Sequence, residues 1–104
     1  MGMGGALMEQ FIVEGGVVFT DRMGRYRVPT IQHTPEITSF IVEHPTRDGP
    51  YGAKGVGEIA GIPTAPAITN AIFNAVGVRV DTLPGEHETI WRAISNVKDS
   101  GDVV

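Results

Sequence analysis

The chain has no cysteine, which excludes disulfides, iron–sulfur clusters and thiolate zinc sites held by its own residues. It is also poor in charge. Asp, Glu, Lys and Arg make up 19% of its 104 residues, against about a quarter in ordinary domains. There is no basic cluster: Arg22, Arg25 and Arg27 are locally dense, but Asp21 adjoins them and the net charge is −4, so nucleic-acid binding is not expected. No run approaches the roughly 18 apolar residues of a membrane span. The N-terminus shows no charged segment ahead of an apolar stretch, so no signal peptide is visible, and a soluble, cytoplasmic location is the default expectation. His33, His44 and His87 never fall at the i, i+4 spacing of a metal site and read as surface residues. Ser39, Ser95 and Ser100 lack a nucleophile-elbow context, which leaves a serine hydrolase unsupported.

What the chain does have is apolar content and glycine. Hydrophobic residues reach 41%, enough for one folded domain and too much for disorder. The low charge further suggests that some apolar surface meets a partner. Fourteen glycines are about twice the average share, and they cluster at 2–5, 15–16, 49–61 and 77–85. Clustered glycine marks main chain in special conformations, or main chain approached closely by something else.

Periodicity predicts an α+β fold. A first helix is expected over Gly4–Val13, stopped by Gly15-Gly16. Short strands are expected at 17–20, 37–43 and 78–80. The 37–43 strand is apolar on both faces, with Ile37 and Ile41 on one and Phe40 and Val42 on the other, so it should be covered on both sides. The stretch 21–36 reads as loop. Helices are expected at 63–76, with the stripe Ile68, Ala71, Ile72 and Ala75, and at 86–98, with Ile90, Ile94 and Val97 facing inward. The two should pack on one side of the small sheet. Residues 1–98 form the ordered unit in this reading, and 99–104 a flexible tail.

The most informative segment is Gly49-Pro-Tyr-Gly-Ala-Lys-Gly-Val-Gly-Glu58. Its glycines leave the main chain bare, which suits contact with a flat or anionic ligand, with the Glu58 carboxylate standing at the end. The same residues also suit a glycine-rich turn with Glu58 in solvent, and spacing alone does not separate the two. Gly55-x-Gly57-x-x-Ala60 formally matches a dinucleotide fingerprint, but no strand leads into it, and Gly61 and Pro63 prevent a helix from opening there. A phosphate-binding Walker loop is excluded because Lys54 is followed by Gly55 rather than Ser or Thr.

The run GPYGAKGVGE, Gly49 to Glu58, closely resembles the segment of molybdenum hydroxylase large subunits, of the xanthine dehydrogenase and aldehyde oxidase family, that ends in the active-site glutamate. Other stretches resemble the same family in the same order: Met3–Glu9, Tyr26-Arg-Val-Pro-Thr30, Pro63–Ala75, Leu83-Pro84 and Glu88-Thr-Ile90. The glutamate segment is specific; the rest gain weight from collinearity. Two departures stand out. Met1 occupies the place of a usual glutamine, as a truncated reading frame or isolated fragment would, and His33 lies near a common aspartate.

The resemblance implies that the chain is the C-terminal piece of a molybdopterin-binding subunit. It implies that Glu58 is the catalytic general base toward a molybdenum-bound hydroxide, which attacks an electron-poor carbon of an aldehyde or N-heterocycle. Gly55, Val56 and Gly57 would lie against the molybdenum–pterin cofactor, and none of these residues would ligate the metal. The implied partners are the remainder of that subunit and the iron–sulfur and flavin subunits or domains of the complete enzyme. At 104 residues the chain is too short to enclose a large pterin. The expectation is therefore that alone it binds no molybdenum, turns over no substrate and self-associates. The alternative is a non-catalytic interaction module derived from such an enzyme. A stand-alone nucleotide binder, which would show a thermal shift with NAD or ATP, is not expected.

Overall fold

Helix α1, Gly2–Leu7, is the first element of the computed structural model, which describes residues 1–100 with side chains through Asn96. The helix closes where the amides of Met8 and Glu9 both donate to the carbonyl of Gly4, at 2.8 and 2.7 Å. It is shorter than the predicted Gly4–Val13 helix, and the reason lies downstream. Gly15 and Gly16 do not stop a helix; they form a hairpin turn, with φ of 56° and 81°. Two successive positive φ values are what a two-residue hairpin of type I′ demands, and Gly-Gly meets them without strain. The turn pairs β1 (Val13–Glu14) with β2 (Val17–Val18), antiparallel, Val13 opposite Val18. Two further bonds extend the ladder, Phe19 N–H to Ile12 O at 3.0 Å and Ile12 N–H to Thr20 Oγ1 at 3.0 Å. This draws residues 11–13 away from α1.

The predicted loop over 21–36 contains a one-turn helix, α2 (Met23–Tyr26), ended by Arg27 at φ 64°. It also contains a 3₁₀ turn at Ile31–His33. Helix α3, Thr64–Val76, matches its prediction closely. Pro66 stands in the first turn, where main-chain N–H groups have no intrahelical acceptor. Gly77, at φ 72°, closes the helix by donating to Phe73 O at 2.8 Å. Helix α4, His87–Ser100, extends two residues beyond its predicted end, so Asp99 and Ser100 are helical. Residues 101–104, and the side chains of Val97 and Lys98, lie outside the described residues.

The architecture is a small α+β unit, four helices and one two-stranded antiparallel sheet among the described residues. Its packing differs from expectation. The strands predicted at 37–43 and 78–80 are not formed, and the principal contact is helix on helix, α1 against α3. Gly2 permits that approach, since a Cβ there would come 2.5 Å from Cβ of Thr64. Gly85 ties the far end of the chain to α1, its N–H donating to Ala6 O at 2.7 Å. Residues 78–82 run along the face of α4 that carries Thr89, Ile90 and Ala93. The core is correspondingly small: among the described residues only Ala6 and Val78 are buried apolar side chains.

Little else is covered. The accessible surface is 9041 Å², whereas a compact monomer of 11.1 kDa exposes about 5,700 Å². The radius of gyration is 18.2 Å, against about 13 Å for a compact domain of this length. No described helix is long and apolar enough to cross a membrane.

Candidate functional site

The glycine-rich segment starts from a clamped turn. Pro50–Gly52 form a 3₁₀ turn, with Gly52 N–H bonded to Gly49 O and Ala53 N–H bonded to Pro50 O, both at 3.0 Å. Thr46 N–H reaches across to Gly52 O at 3.1 Å. Two glycines are required here. A Cβ on Gly49 would strike the carbonyl oxygen of Ala53, and Gly52 holds φ at 76° with Cβ of Pro45 2.7 Å from where its own would stand. Tyr51 also takes a left-handed conformation, φ 55°, which is uncommon for a bulky residue. Its side chain is fully exposed.

Beyond the turn the chain leaves its clamp. Gly55 and Gly57 differ from Gly49 and Gly52: a Cβ at either would meet nothing within 4 Å, and neither has positive φ. The fold of this chain does not require glycine at these two positions. Glu58 follows at the start of the next turn, where its carbonyl accepts from Gly61 N–H at 2.8 Å. Its side chain is exposed.

An open groove of about 560 Å³ lies beside the segment. Residues 41–45 form one wall and 51–56 with Ile59 the other. Of the predicted site residues, Gly55 and Val56 line this groove, while Gly57 and Glu58 stand between its lining residues Val56 and Ile59. One contact was not foreseen: Lys54 Nζ lies 3.1 Å from His44 Nδ1. Lysine can only donate, so His44 accepts at Nδ1. The pairing ties the two walls together, and no spacing rule in the sequence links residues ten apart in a loop. The histidines are not assembled into a site. His33 bonds Thr30 within its own turn, Nδ1 to the Thr30 Oγ1 at 2.7 Å, and His87 opens α4. Among the described residues no cluster of His, Asp or Glu could hold a metal ion.

No family model matches the chain, but individual relatives do. The putative xanthine dehydrogenase molybdenum-binding subunit XdhA of Escherichia coli K12 is 41% identical over 86 residues, 81% of this chain and 11% of that protein. The 6-hydroxypseudooxynicotine dehydrogenase complex subunit gamma of Paenarthrobacter nicotinovorans is 40% identical over 94 residues, 86% of this chain and 12% of the relative. The aldehyde oxidoreductase molybdenum-binding subunit PaoC of Escherichia coli K12 is 38% identical over 87 residues, 81% and 12% respectively. The chain thus spans 11% to 12% of the length of these relatives.

Proposed function

Because the chain is a fragment-length homologue of the molybdenum-binding subunits of the xanthine dehydrogenase and aldehyde oxidoreductase family, we propose that it contributes one wall and one catalytic carboxylate, Glu58, to an oxidoreductase active site completed by a longer subunit. The observation that carries this reading is the pair Gly55 and Gly57. They flank Val56 just ahead of Glu58, and nothing in the chain's own fold requires them. Bare main chain opening onto space accommodates a flat group lying against it. Gly55, Val56 and Gly57 fit a molybdenum–pterin group in that sense, as a surface to rest on and not as ligands.

When bound, such a group supplies the oxidising centre and the activated, water-derived oxygen. The contribution of this chain is a base. With the group bound, the Glu58 carboxylate would take up the proton of that oxygen, and the group itself would take the two electrons removed from the aldehyde or N-heterocycle carbon. Its place at the start of a turn closed by Gly61 N–H keeps its main chain beside the glycine-bared stretch. Positioned general bases are worth about 10²–10⁴ in rate. Full closure around substrate has to come from residues outside this chain, since its own groove is open and Glu58 stands exposed. Alone, the chain retains no molybdenum and turns over no substrate; about one molybdenum per purified chain would refute this.

In an assembled subunit carrying this stretch, Glu58→Gln should lower kcat by about 100-fold or more with molybdenum content unchanged. An unchanged kcat would leave the chain a docking element without a catalytic share. The exposed apolar surface favours that second reading no less than the first, and kcat of the variant separates them.

A further inference from the structure

Residues 34–46 contain no helix, strand or turn. Within them, residues 35–45 neither give nor receive a main-chain hydrogen bond among the described residues. Their amides and carbonyls are left to water, yet their side chains are wrong for a solvated loop. Ile37, Phe40, Ile41 and Val42 are 71%, 85%, 90% and 91% exposed. β-Branched and aromatic residues favour a pleated, covered surface. At the two-residue period of a strand, Ile37 and Ile41 share one face and Phe40 and Val42 the other. A strand apolar on both faces belongs inside a sheet covered on both sides.

We propose that residues 37–43 are an internal β-strand whose neighbours on both edges come from the longer subunit polypeptide that this chain docks with. The proposal rests on the reading above, that the chain is one part of such a subunit. A second copy of the chain is a poorer occupant on two grounds. Two copies paired through 37–43 would give each strand one neighbour, leaving its other edge and both apolar faces open. The surface in excess of a compact monomer is about 3,400 Å², several times the about 800 Å² per partner of a standard interface. The relatives are long enough to provide the missing layers, since this stretch is only 11% to 12% of their length.

Docking of the strand would also set the candidate site. Residues 41–45 form one wall of the groove that Gly55 and Val56 line. The end of the segment is fastened to the other wall by Thr46 N–H to Gly52 O and by the Lys54–His44 contact. Fixing the strand therefore fixes the base of the loop that carries Glu58.

The test compares hydrogen–deuterium exchange in two proteins: the full chain alone, at low and high concentration, and a chimera in which the chain replaces the 86 matching residues of the Escherichia coli K12 subunit. In the free chain the amides of 37–43 should exchange at unstructured rates. In the chimera they should slow by on the order of 100-fold or more, and Ile41→Pro, which removes a ladder donor, should abolish that slowing. The free chain loses no hydrogen bond in this variant, so its helices report an intact fold. Protection of 64–76 in the chimera with rapid exchange at 37–43 would overturn the strand while leaving the docked reading intact. Rapid exchange throughout the inserted stretch would overturn both. Protection of 37–43 in the free chain that rises with concentration would make a second copy the occupant and overturn the proposal.

Discussion

Substituting the glycines of the 49–58 segment one at a time should divide them into two groups. In Gly52→Ala, an L side chain is placed at φ 76° with Cβ of Pro45 only 2.7 Å away. The left-handed conformation alone costs about 1–2 kcal/mol, which lowers the population of the closed turn by about 5–30-fold, and the Pro45 overlap adds to this. The local reporters are the amide of Thr46, which donates to Gly52 O, and that of Ala53, which donates to Pro50 O. Their exchange should accelerate by that factor in Gly52→Ala. In Gly55→Ala and Gly57→Ala it should not change, because the new methyl meets nothing within 4 Å. In an assembled subunit the order reverses for the cofactor: Gly55→Ala and Gly57→Ala should lose molybdenum on gel filtration although the turn is intact. Equal acceleration in Gly52→Ala and Gly55→Ala would refute the distinction between clamped and bare glycines. Full molybdenum retention in Gly55→Ala and Gly57→Ala would refute the bare main chain as a cofactor wall.

Two further substitutions test the small core and its attachments. Val78→Ala removes roughly 1.6 kcal/mol of burial at about 0.8 kcal/mol per methylene; since Ala6 is the other buried apolar side chain among the described residues, urea-induced unfolding followed at α1 and α3 should show a clear loss, and an unchanged midpoint would mean the core lies elsewhere. Glu86→Gln breaks the 2.8 Å ion pair to Arg27, whose side chains are 33% and 55% exposed, so it should cost no more than about 1 kcal/mol and less at high salt; a larger, salt-independent loss would give Arg27 another role.

The helices α3 and α4 were legible because their signals are local: Pro66 in a first turn, Gly77 at a stop, and apolar residues at helical spacing. Gly15-Gly16 was misread because the same dipeptide ends a helix or turns a hairpin. Only the pairing of Val13 with Val18 decides between them. Val78, expected in a strand, is instead a buried residue of irregular chain, because the hydrogen-bond partners a strand needs are not written in local sequence. The 37–43 prediction exposes a different limit. Local sequence can demand a covered strand, but a strand exists only when another supplies its ladder, and residues 35–45 have no main-chain partner among the described residues.

The same division applies to the site. Gly49 and Gly52 are explained by contacts within the chain, through Ala53 O, Pro45 and a positive φ. Gly55 and Gly57 are not. Openness alone would be weak ground for function, because Gly5 and Gly24 are equally open. What sets Gly55 and Gly57 apart is where they lie: on either side of Val56 at the groove, and immediately before Glu58. An unclamped glycine there lowers the order of the free chain and gains nothing from its own fold. Such residues make sense where something outside the chain comes close to the backbone. The exposed apolar segment 37–43, which the proposal reads as an undocked strand, makes the same demand from the other wall. On the proposed docking, both walls of one groove meet neighbours the chain does not itself contain, which would tie docking and the placement of Glu58 to a single assembly event.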